Sequence, residues 1–133
     1  MMKILIATSQ RSIVGGVEIY LQGLIPALLR RGHQIAMLYD YAADSAGACV
    51  DPPEAQLPIW RADELRERTA LWKELTDWHP DVVYSHGIDA SSVERKLQEN
   101  FPTVRFVHGY WGTCTTGRKC HAFPEIQTCA LPI

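Results

Sequence analysis

Two glycines and two histidines are the residues here whose type and placement could do chemistry. Gly15-Gly16 stands between an apolar run and a helical pattern. Glycine lets backbone come close to a ligand, and free N–H groups at a helix start attract phosphate. The loop fits neither G-x-G-x-x-G nor G-x-x-x-x-G-K-[ST], so the dinucleotide fingerprint and the P-loop are both missing. The competing reading is a plain strand-to-helix turn that needs small residues. His86 and His108 each end an apolar run and each precede a glycine, Gly87 and Gly109. Imidazole can hydrogen-bond a hydroxyl or move a proton near neutral pH. A histidine satisfied by backbone at a strand end is the alternative. Cys114, Cys120, His121 and Cys129 could supply a tetrahedral zinc site. The Cys114 to Cys120 interval exceeds the usual ligand spacing, so free thiols or a disulfide compete with metal.

These residues need elements to hold them. Lys3–Thr8 is a continuous apolar run, the pattern of a strand buried on both faces. Val17, Tyr20, Leu21, Leu24 and Leu28 then recur at helical spacing, with Arg30-Arg31 in the last turn and Gly32 as the stop. Pro26 removes the bond to the Gln22 carbonyl, which predicts a kink. Gln34–Tyr39 is a second strand, so the first 40 or so residues read as one βαβ unit. Asp40–Pro58 reads as an irregular connection with a short strand near Leu57–Ile59. Asp63 is the expected N-cap of one helix running to about Trp78, with Leu65, Leu71, Trp72 and Leu75 facing inward. His79-Pro80 ends it. Asp81–Ser85 is a third clear strand, Ala90–Asn100 a polar helix and Thr103–Val107 a fourth. His33 and His79 fall at element ends and read as structural. Glu18 suits the helix dipole, and a further role for it stays open.

Strands alternating with helices predict an α/β fold, a Rossmann-like doubly wound and mostly parallel sheet. Ligands of such sheets bind outside the carboxyl ends of the strands. That edge would carry the Ser9–Gly16 loop, Tyr39-Asp40, His86-Gly87 and His108-Gly109. The chain has 133 residues and is 47% apolar, enough for one core. Its net charge of −2 offers no general attraction for nucleic acid. No apolar run nears the roughly 18 residues of a membrane span, and no signal peptide is read at the start.

Taken in order, Lys3-Ile4-Leu5-Ile6…Gly15-Gly16-Val17-Glu18…Leu28-Leu29-Arg30-Arg31-Gly32-His33-Gln34-Ile35 resembles the opening of family 4 glycosyltransferases. His79-Pro80-Asp81-Val82-Val83-Tyr84-Ser85-His86-Gly87 is similar to their second landmark, and Val104-Arg105-Phe106-Val107-His108-Gly109 to their third. The likeness covers roughly residues 2–110. It implies the GT-B arrangement of two Rossmann-like domains. It also implies retaining transfer of a hexose-type sugar from a nucleotide-sugar donor to a sugar or lipid-linked acceptor, as in polysaccharide or glycoconjugate synthesis. Gly15 and Gly16 would approach the donor phosphates, and His108 would be the catalytic histidine near the reacting sugar. His86, Gly87 and Gly109 would line the acceptor cleft. No cofactor or metal is implied. The expected place is the cytoplasm or the inner face of the cell membrane, as a peripheral protein.

The expected domain is 1–110, followed by a cysteine-bearing extension, 111–126. Residues 127–133 can be encoded by CAG ACG TGT GCT CTT CCG ATC, which resembles a sequencing-library adapter. They read as a non-native tail. The resemblance also implies a C-terminal domain that supplies most donor contacts and is missing here, so the chain alone should be inactive. Two other classes compete: a small flavodoxin-like nucleotide-binding module, and a zinc-dependent interaction module.

Overall fold

The computed structural model describes residues 1–42 and 48–108. Five strands form one sheet: β1 (Lys3–Gln10), β2 (Gln34–Tyr41), β3 (Ile59–Arg61), β4 (Val82–Ser85) and β5 (Thr103–Arg105). Their order is β3-β2-β1-β4-β5 and every pairing is parallel. This is a doubly wound α/β sheet of Rossmann-like form. β1 is central, so Leu5, Ile6 and Ala7 are fully buried and the run shows no alternation. Alternate residues still feed two separate cores. Leu5, Ala7, Leu38 and Val83 pack with Leu65, Leu75 and Leu97. Ile4, Ile6, Ile35 and Met37 pack with Leu21 and Ile25 of the first helix.

That helix, α1 (Gly16–Arg30), runs on through Pro26. It closes as a Schellman turn: the His33 N–H donates to the Leu28 carbonyl, and the Gly32 N–H to that of Leu29. Gly32 adopts φ +82°, a backbone that suits glycine. His33 accepts a hydrogen bond from the Met2 N–H at Nδ1, in keeping with a structural place.

The single helix expected from Asp63 to Trp78 is two. α2 (Ala62–Glu67) and α3 (Thr69–Trp78) are separated by extended Arg68. Arg61, not Asp63, occupies the N-cap position. The Asp63 carboxylate instead accepts from the Glu64 N–H and from Arg61. The corner at Arg68 still lets Leu65 and Leu75 enter one core, with Leu71 and Trp72 packed beside them. The third strand is placed two residues later than Leu57–Ile59. The last helix, α4 (Ser91–Asn100), starts one residue later than expected. The last strand ends at Arg105, before Val107; the Phe106 N–H still donates to the Ser85 carbonyl of β4, and the chain leaves the sheet after it.

The β1–α1 loop is tied to the β2–β3 connection. The Ile13 N–H donates to the Ala48 carbonyl and the Val50 N–H to that of Arg11. Arg11 adds a two-pronged ion pair with Asp51, both contacts 2.9 Å. The guanidinium holds the Asp51 carboxyl below the ordinary carboxylate range. A depressed folded pKa means stability present at neutral pH and lost as pH falls through that pKa. Asp51→Asn should therefore be less stable than the native chain by about 1 kcal/mol at neutral pH. The two should converge below roughly pH 4, as read by urea unfolding across pH.

Candidate functional site

In this strand order the chain reverses direction of winding between β1 and β4. The crevice beyond their carboxyl ends is the switch point where such sheets bind ligands. β4 delivers His86-Gly87 there and β5 delivers His108; the Gly15-Gly16 turn opens α1 after β1 and does not line the cleft. Ser9, His86, Gly87, Asp89, Arg105 and His108 line a cleft of about 750 Å³.

The glycine turn is not what packing alone would demand. Gly15 is the N-cap residue with extended backbone, and no side chain caps α1. A Cβ added at Gly16 would meet nothing within 4 Å. At Gly15 it would meet only the Glu18 carboxylate, at 3.4 Å. Neither glycine has positive φ. The reading of a turn that needs small residues therefore loses its physical reason at Gly16. Glu18 itself is buried and folds back toward Gly15.

Gly87 is different. Its φ of +90° explains the glycine at the turn after β4. The turn is braced from below. Ser85 Oγ donates to Glu94 Oε1 at 2.8 Å and accepts from the Gly87 N–H at 3.1 Å. Both Ser85 and Glu94 are buried. From the far side of β1, the Asp40 carboxylate at the end of β2 accepts from the Asp89 N–H at 2.6 Å and the Ala90 N–H at 3.3 Å. Asp40 thus caps α4, whose own cap position holds Ala90 and offers no side chain. Burial raises the Asp40 carboxyl, the two amides oppose that shift, and nearby Asp89 and Glu94 add to it.

His86 and His108 meet. His86 Nδ1 is in hydrogen-bond contact with His108 Nε2, and the rings lie 4.8 Å apart at 23°. Three aromatic side chains surround them. Tyr84 stands edge-on to His86 at 4.5 Å. Phe106 stacks at 5.8 Å from His86 and 4.5 Å from His108. Tyr20 reaches over from α1, 5.8 Å from His86, with its hydroxyl 3.3 Å from that of Tyr84. Burial, then His108, pulls His86 down to about 4, so its ring is neutral at physiological pH. Burial, then the hydrogen bond with Tyr20, pushes Tyr84 up to about 12.

The sequence singled out both histidines but not their contact, which follows only once β4 and β5 are neighbours. Helical spacing groups Tyr20 with Leu21 and Leu24; Tyr20 is 46% exposed and contacts His86, while Leu21 and Ile25 are fully buried. Phe106 was expected as strand and also lies at the cleft. Gly109, Cys114, Cys120, His121 and Cys129 lie outside the described residues, and so does the tail 127–133. Among the described residues no three His, Cys, Asp or Glu side chains converge as a metal site, and no helix is long and apolar enough to cross a membrane.

The five parallel strands and the helices on both faces define a Rossmann-like α/β unit. The chain matches Glycosyltransferase Family 4 over residues 14–125 and belongs to that family. No curated protein matches it. Family membership identifies the chain as a glycosyltransferase-family domain.

Proposed function

We propose that this domain forms one wall of the site of a retaining glycosyltransferase, with a nucleotide sugar as donor and a sugar or lipid-linked molecule as acceptor. The observation that carries the reading is the meeting of His86 and His108 in the cleft beyond the carboxyl ends of β4 and β5. The α1 N-terminus offers unpaired N–H groups to the donor phosphates. The Glu18 carboxylate beside Gly15 repels an anion there and directs it to the open face of Gly16. His108 faces the reacting sugar, and Gly87 borders the acceptor. The reaction needs a second domain to complete the donor site, because half a site cannot hold two reactants in line. No metal takes part, and the product feeds polysaccharide or glycoconjugate synthesis in the cytoplasm or at the inner membrane face.

The test is a panel of nucleotide-sugar donors given to the enzyme with both domains and to the 133-residue chain alone. Donor-dependent transfer with retained anomeric configuration is expected from the first and none from the second. Transfer by the chain alone, or inversion, would overturn the mechanism.

A further inference from the structure

We infer that His86 is a positioning residue for His108: its Nδ1–H grips His108 Nε2 and leaves His108 with its own proton on Nδ1, as a donor to an acceptor oxygen of the ligand. The inference rests on the reading of His108 as a residue that faces substrate.

The argument is an accounting of protons. One hydrogen can occupy the contact between His86 Nδ1 and His108 Nε2. Were it carried by His108 Nε2, neutral His86 would hold its proton on Nε2. That atom is buried and has no hydrogen-bond partner among the described residues. A buried N–H without an acceptor is rare in native structures. With the hydrogen on His86 Nδ1, only a lone pair is left unmatched at Nε2, the milder fault. His108 Nε2 then accepts, and its remaining proton must sit on Nδ1. The neutrality of His86, set by burial, agrees with this arrangement.

His86 is itself held in place. Its backbone N–H donates to the Ala7 carbonyl of β1. Tyr84 and Phe106 fix the ring from the edge and the face. The buried Ser85–Glu94 bond anchors the residue before it. His108, by contrast, is exposed and has left the sheet. A rigid histidine thus orients a less supported one, and also selects which of its nitrogens bears hydrogen. The result is a donor aimed at a phosphate or hydroxyl oxygen, rather than a free base.

Side-chain nitrogen NMR of the 133-residue chain, without ligand, tests this. His108 should show a protonated Nδ1 and a bare Nε2. His86→Phe keeps a ring but loses the donor, so His108 should lose that fixed pattern and average between tautomers. His86→Asn places an amide N–H near the former Nδ1–H and should restore it. A native His108 protonated at Nε2, or a pattern unmoved in His86→Phe, would overturn the inference. These signals need no substrate, so a failed donor assay would remove the glycosyl-transfer reading without touching the histidine pair.

Discussion

On the proposed function, Gly16→Val in the full-length enzyme is expected to fold as the native protein does and to lose about 100-fold in kcat/KM for the nucleotide-sugar donor. The stability half follows from empty space: a Cβ at Gly16 meets nothing within 4 Å and the backbone needs no positive φ. A surface substitution without a lost contact changes stability by about 0.5 kcal/mol or less. The activity half follows from approach. A branched side chain over the first turn of α1 pushes a phosphate away from the N–H groups that would hold it. Losing one such set of donors, or misplacing a reactant by an ångström, lowers rates by roughly 10²-fold. Urea unfolding and steady-state kinetics on the same preparation separate the halves. Native activity in Gly16→Val would remove the phosphate role from this turn. Loss of folding would return Gly16 to the class of packing glycines.

Leu5→Ala is expected to weaken the fold more than any surface change. Leu5 lies in the central strand, is fully buried and joins the core under α2, α3 and α4. Truncation there removes transfer energy and leaves a cavity, about 2–5 kcal/mol together. A domain of this kind has about 5–15 kcal/mol in total, so unfolding should begin at much lower urea. Val104→Ala is the control. Val104 lies on the edge strand and is 56% exposed, so a shift below about 0.5 kcal/mol is expected. Equal losses at the two positions would contradict the assignment of β1 to the centre of the sheet.

The strands were legible because parallel central strands are written as unbroken apolar runs. Lys3–Thr8 and Gln34–Tyr39 lie wholly within β1 and β2. The edges were less legible. β3 and β5 are three residues each, and short segments carry little periodicity. The corner at Arg68 has neither proline nor glycine to announce it. At the site, Gly15-Gly16, His86 and Gly87 could be picked out because each follows a strand. Asp40 was placed at the right edge, but its task was hidden. Its partners are amides 49 and 50 positions away, and any residue type has an amide. The contact of Tyr20 with His86 was hidden because helical spacing does not show which partner a face meets.

The Asp40 cap bears on the order in which this domain can mature during synthesis. β1, α1 and β2 leave the ribosome first and bring Asp40 with them. The amides of Asp89 and Ala90 emerge only after the crossover through α2 and α3. Until then the carboxylate waits in water, and closing so long a loop is a late event. The entrance of the crevice therefore takes its final shape after β4 docks, on the opposite side of β1 from β2. A nascent chain can possess the glycine turn well before it possesses a cleft.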